Sequence, residues 1–167
     1  MDVMAHALWS LALLPGKPAI TKVAFGIAPD VLVFATSLTI QAVKGKMQPG
    51  YKTREQMMNW YHRDENKWVL NLYKYTHSIL IWSAVIIPIF VYFYYFRNTT
   101  PWFLFAAPLH ILMDIPTHDK NSFPVQFLTP VSKFKFNGMH WSKPIVFVSN
   151  YILIIIVIYI RMFWFKK

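Results

Sequence analysis

The stretch LHILMDIPTHDK, residues 109–120, sets His110, Asp114 and His118 at four-residue steps inside an otherwise apolar run. Residues four apart share one face of a helix, so His110 and Asp114 can point at a single ion. Pro116 is expected to end the helix first, leaving His118 beside the pair and not in line with it. Imidazole and carboxylate are borderline-to-hard donors that suit a divalent metal, zinc first, with manganese, iron or nickel also accommodated. The chain has no cysteine, which excludes disulfides and thiolate ligands. It also lacks a G-x-S-x-G elbow, a glycine-rich phosphate loop, a Rossmann fingerprint and an H-E-x-x-H pair. Ser78 follows His77 directly, and adjacent residues on a helix point apart. Metal-assisted hydrolysis is therefore the chemistry these residues fit, because a metal with an open position makes hydroxide available near neutral pH.

Such groups need elements to hold them, and the composition says what kind. Of 167 residues, 56% are hydrophobic, 18% aromatic and only 14% charged, against roughly 45–50% apolar in soluble domains. A single membrane-embedded, all-α domain over residues 1–167 is expected. The formal net charge of +10 points to anionic lipid headgroups and not to nucleic acid, because the Lys and Arg sit between apolar runs and at the carboxyl end. The amino-terminal MDVMAHALWSLALLPG has an acid where a secretory signal carries Lys or Arg, so it reads as part of the mature fold.

About 20 residues are needed to cross roughly 30 Å of hydrocarbon. Ser78 to Phe96 and Ile145 to Phe165 meet that length. Residues 19–42 do too, though Gly26, Pro29 and Asp30 in the middle predict a kinked or broken helix. Val3 to Leu14 and Trp102 to Ile115 reach only about 18–21 Å and are expected to be tilted, re-entrant or covered by protein. This gives about four or five transmembrane or re-entrant helices. Between the second and third lies REQMMNWYHRDENKWVLNLYKY, expected to be an interfacial amphipathic helix with Trp60, Tyr61, Trp68 and Tyr73 at headgroup level. Residues 117–143, with Pro124, Pro130, Asn137 and Gly138, form a second polar connection without regular helix.

If these segments alternate in direction, the start of the first, the end of the second, the start of the third and the end of the fourth share one side. His6, His77, His110, Asp114, His118 and His140 then converge there, with Asp30 deeper at the break. The opposite connections, residues 15–18 and 97–101, carry no His, Asp or Glu. An ionised Asp at the centre of a membrane helix costs roughly 2.5–3.5 kcal/mol on insertion scales, so Asp30 and Asp114 call for a shared compensating charge. The candidate metal ligands are His6, Asp30, His77, His110 and Asp114. His118, His140 and Thr117 are the candidates for proton transfer, substrate contact or ligand orientation.

At Thr76-His77-Ser78 and at HILMDIPTH, residues 110–118, the sequence resembles a bacterial inner-membrane, metal-dependent hydrolase-like family often described as phospholipase-like. That family has an early His in the first helix and a P-D step in the second. A T-H-S at the start of a later span and an H-x-x-x-D-x-x-T block before a proline-containing loop follow in that order. Here these fall on His6, Pro29-Asp30, Thr76-His77-Ser78, His110, Asp114 and Thr117, and Leu128 to Pro130. Where the family has H-R-G before T-H-S this chain has Tyr73-Lys74-Tyr75, and the segment Asn137 to Ser142 lies outside the pattern. The resemblance implies a membrane architecture and a metal site.

The expected activity is hydrolysis of a phosphoester or acyl ester in a lipid-like substrate, with Lys74, Lys120, Lys133, Lys135 and Lys143 attracting an anionic headgroup. Two alternatives stay open: ion or proton handling of the transporter kind, and a non-catalytic metal in a structural membrane protein. Of the 17 Lys and Arg, only Lys17, Lys22, Arg97, Arg161, Lys166 and Lys167 fall on the far side. The near side carries the rest, Lys46 among them. The positive-inside tendency then places the site on the cytoplasmic face of a bacterial inner membrane.

Overall fold

The computed structural model describes residues 1–45 and 50–164. Lys46, Phe165, Lys166 and Lys167 lie outside the described residues. These residues form seven α-helices and, among them, no strand. The helices are α1 (Val3–Leu13), α2 (Ala19–Val43), α3 (Arg54–His62), α4 (Lys67–Thr76), α5 (Ile79–Phe96), α6 (Ala106–Thr117) and α7 (Pro144–Trp164). A 3-10 turn, Trp102–Phe105, leads into α6. Three helices are long and apolar enough to cross a membrane: α2, α5 and the Pro144–Phe163 part of α7.

Capping sets several boundaries. The Asp2 carboxylate accepts from Ala5 N–H to open α1, Thr53 accepts from Gln56 N–H to open α3, and Ser78 accepts from Ile81 N–H to open α5. Ser78 Oγ also donates to the Thr129 carbonyl, tying the start of α5 to the 117–143 connection.

α2 is the central element and packs on α1, α4, α6 and the 3-10 turn. Of the kink or break expected at Gly26–Asp30, the break does not occur; α2 runs through Pro29 without interruption. Gly26 is where α1 comes closest, since a Cβ there would stand 2.0 Å from Ser10 Oγ and 3.3 Å from the His6 carbonyl. α6 ends at Thr117, one residue past Pro116 and before His118, as expected. A proline in the last turn removes a single helical bond, and Thr117 Oγ1 donates to the Met113 carbonyl at 2.9 Å across that turn.

The single interfacial helix is corrected to two. At residues 63–66 the chain turns, and Asn66 Nδ2 donates to the Trp60 carbonyl at 3.0 Å, an Asn side chain competing with the helical ladder. Three of the four rings expected at a headgroup surface are instead core: Trp60, Tyr61 and Tyr73 are buried with Val33, Val69, Ile111 and Phe123. Trp68 is half-buried against the same cluster.

A second core joins α1 to α7 through Ala5, Trp9, Ala12 and Ile154. Polar contacts reinforce it: Trp9 Nε1 donates to Asn150 Oδ1 at 2.8 Å, and Arg161 donates to the Leu11 and Ala12 carbonyls at 2.6 and 2.8 Å. α5 has one buried residue, Ile86, and leaves Val85, Ile87, Val91 and Tyr95 exposed. α7 similarly exposes Ile152, Leu153, Ile155 and Ile156.

Candidate metal centre

Four side chains from different parts of the chain meet between α2, α6 and the junction of α4 with α5. One ligand atom from each of Asp30, His77, His110 and Asp114 lies within 4.8 Å of the others, and all four residues are buried. The separations are even. His77 Nε2 is 3.3 Å from His110 Nε2, 3.4 Å from Asp30 Oδ1 and 3.6 Å from Asp114 Oδ2. His110 Nε2 is 3.2 Å from Asp114 Oδ2 and 3.8 Å from Asp30 Oδ1.

The outer faces of the two rings are tied to the backbone. His110 Nδ1 meets the Gly26 carbonyl at 2.7 Å, and His77 Nδ1 meets the Tyr73 carbonyl at 3.2 Å. A carbonyl only accepts, so His110 Nδ1 carries the hydrogen and its Nε2 lone pair is aimed into the cluster; His77 Nδ1 also lies 3.1 Å from the Thr76 hydroxyl, which can donate as well as accept. The two Nε2 atoms, 3.3 Å apart between two buried carboxylates, converge on one point. Donation of the outer N–H to a backbone carbonyl is also how metal-ligating histidines are held. The donor set therefore fits a divalent cation.

Asp114 faces two ways. Its Oδ2 belongs to the cluster, while Oδ1 lies 3.1 Å from His6 Nε2 and 3.4 Å from His118 Nε2, and the Met1 amino group pairs with it. The Met1 amino group also lies 2.9 Å from His118 Nε2. His6 stacks on His110 with ring centroids 3.4 Å apart, and its Nδ1 has no hydrogen-bond partner. His6 thus adjoins the four without being one of them. His118, just past the helix end in extended conformation, still reaches Asp114. The hydroxyl of Thr117 is turned back on its own helix.

His140 lies further out, its ring 6.3 Å from that of His118. Ser142 N–H donates to His140 Nδ1 at 3.2 Å, which places the ring proton on Nε2. Burial lowers its pKa to about 4, with Arg54 adding to the effect and Asp119 opposing it. Between pH 6.5 and about 4 the unfolded chain takes up a proton that the folded chain refuses, so His140 weakens the fold as pH falls through that window. Melting temperatures above pH 6.5 and near pH 4 should differ less in His140→Gln than in the parent; an equal drop would remove His140 from the acid response.

Sequence reasoning missed two tyrosines. Tyr73 is buried and stacks on His77 with centroids 3.8 Å apart, and its hydroxyl has no protein partner; nor has that of Tyr51. Burial, with Asp114 and Asp30 nearby, holds the Tyr73 phenol well above its ordinary pKa, so it stays a proton donor. The signal was available, because Tyr73 and His77 stand four apart at the end of one helix. Both tyrosines line a cavity of about 650 Å³ that also reaches Asp30, His118 and His140. Comparison of the chain with protein-family models, with curated proteins and with solved structures returns no match.

Proposed function

We propose that the protein is an integral membrane, metal-dependent hydrolase acting on a phosphoester or acyl ester of a lipid-like molecule. The observation that carries this reading is the 3.3 Å approach of two imidazole nitrogens between two buried carboxylates. Zinc is the preferred metal: donors at about 2.0–2.2 Å in a tetrahedron stand roughly 3.4 Å apart, close to the separations here. Manganese, iron and nickel are the other candidates. The family resemblance in the T-H-S and H-x-x-x-D-x-x-T motifs agrees with this assignment.

The membrane supplies the setting. α5 and α7 are apolar around most of their circumference and largely uncovered by protein, the pattern of helices solvated by lipid. α1 and α6 are then short helices held within the bundle, and α3 and α4 sit at the interface, their aromatics turned inward. The excess of Lys and Arg on the site's side favours the cytoplasmic face of a bacterial inner membrane.

The 650 Å³ cavity is of ligand size and brings substrate to the one cluster member on its wall, Asp30. Phe34, Met57 and Phe123 give it an apolar side for an acyl chain. A divalent cation bound at the cluster supplies Lewis acidity and a lowered pKa for water. Asp30 accepts the proton of the attacking water. The Tyr73 hydroxyl and His140 Nε2–H donate hydrogen bonds to the anionic oxygens of the substrate, and His118 relays a proton toward the leaving group. Thr117 holds the end of α6, from which His118 departs.

One observation favours a second reading. Four protein donors suffice to fill a tetrahedral site, and closed sites of that kind are structural. The deciding experiment strips the purified protein of metal, restores zinc, manganese, iron or nickel in turn, and follows release of fatty acid or phosphorylated headgroup from mixed phospholipid micelles. Metal-restored release that falls by about 10²–10⁴ in Asp30→Asn supports the hydrolase. Stoichiometric metal with no ester cleaved across the panel replaces it with the structural reading.

A further inference from the structure

A second cavity, of about 340 Å³, shares Tyr73 and Phe123 with the first and has a different character. α4 lines it with Lys67, Leu70, Asn71 and Lys74, one helix face at steps of three and four. Lys120, Asn121 and Gln126 face them from the connection after α6, and Lys135 and His62 complete the rim. No Asp or Glu lines it.

The charge in this cavity is largely uncompensated. Among the described residues, Lys67 is the one lysine of the four with a carboxylate partner, the fully exposed Asp64. Lys74 Nζ rests on Asn71 Oδ1 at 2.7 Å, a neutral acceptor. Asp119, next to Lys120 in sequence, is engaged by Arg54 at 2.9 Å. Lys74 and Lys135 are half-buried, while Lys67 and Lys120 are exposed at the rim. Gathering like charges in a recess costs energy that an anion recovers, and low-dielectric walls strengthen the attraction. Lysines recognise phosphate as point charges, and the amide N–H groups of Asn71, Asn121 and Gln126 can satisfy remaining oxygens.

We propose that this cavity is a binding site for a multiply charged phosphate group, presented either by an anionic lipid headgroup or by a soluble phosphate or pyrophosphate. The site stands apart from the metal cluster and does not depend on hydrolysis. It is also more specific than a general basic surface, because Lys133 and Lys143, from the same basic set, do not line it.

The test uses the full chain in a neutral detergent. Native mass spectrometry compares binding of phosphatidic acid with phosphatidylcholine of the same acyl chains, and calorimetry titrates inorganic phosphate and pyrophosphate. Variants are Lys74→Gln/Lys120→Gln/Lys135→Gln and, as a control of similar charge, Lys133→Gln/Lys143→Gln. Phosphatidic acid should bind at least about tenfold tighter than phosphatidylcholine, with the preference lost in the triple variant and kept in the control. Competition by pyrophosphate would identify the phosphate group alone as sufficient; phosphatidic acid binding without competition would assign the site to lipid. Equal loss in both variants would reduce the effect to diffuse surface charge and overturn the proposal. So would a wild-type protein with no preference for phosphatidic acid and no heat on adding pyrophosphate, a result readable without any variant.

Discussion

Protein carrying His110→Ala or Asp114→Asn is expected to lose its divalent metal, with affinity falling by more than about 100-fold. Even a partner one bond removed from a metal costs roughly 10–100-fold when lost, and these two residues are candidate donors. Each change also has a structural effect. Removing His110 takes away the ring stacked on His6 and the partner of the Gly26 carbonyl. Asp114→Asn keeps the shape but removes the charge facing His6, His118 and the Met1 amino group. The measurement is elemental mass spectrometry on purified protein, with His62→Ala, an exposed histidine outside the cluster, as control. Wild-type protein should also melt higher with metal restored, by the linkage that gives about 2.7 kcal/mol at a hundredfold excess over Kd. Metal-free wild-type protein that stays folded and ignores repletion would refute the metal centre and leave the buried carboxylates to proton or ion handling.

Gly138→Ala should be the most damaging small substitution outside the cluster, costing about 3 kcal/mol or more. The reason is close approach and not dihedral freedom. A Cβ there would stand 2.2 Å from the Pro116 carbonyl oxygen, 2.5 Å from its carbon and 2.8 Å from the His118 oxygen. Those are backbone atoms and cannot rotate aside. The segment would have to lift away, breaking the bonds from Gly138 N–H to His118, Met139 N–H to Pro116 and Trp141 N–H to Thr117, each 2.9 Å. Lifting it displaces His118 and His140 while Asp30, His77, His110 and Asp114 are held elsewhere. Denaturant unfolding should therefore show a large loss, whereas metal content in the surviving folded fraction stays near stoichiometric. A stability change within a few tenths of a kcal/mol would mean that the loop packs differently.

Hydropathy and helix direction made much of this legible. Long apolar runs located α2, α5 and α7, and alternation of direction brought His77, His110 and Asp114 to one side with Asp30 below them. The failures have local causes. Pro29 was read as a kink or a break, and α2 runs unbroken through it, whereas the helix end expected near Pro116 does fall before His118. The aromatics of α3 and α4 were read as surface anchors because amphipathic pattern alone does not say whether the apolar face meets lipid or protein; here it meets Val33, Ile111 and Phe123. Gly26 and Gly138 could not be understood in advance, since a glycine required for close approach is indistinguishable in sequence from one that merely turns.

The tether from His110 to the Gly26 carbonyl joins positions 84 residues apart, and the meeting of His110 with His77 spans 33. Contacts so distant along the chain stabilise nothing until the intervening loop has closed, and they form late. During synthesis α1 and α2 exist well before the ring that pins them, and Asp30 waits with at most His77 for company. A chain interrupted anywhere before residue 110 therefore holds at most Asp30 and His77, half of the cluster. Completion of the four-residue cluster becomes an event of a chain that has already reached α6.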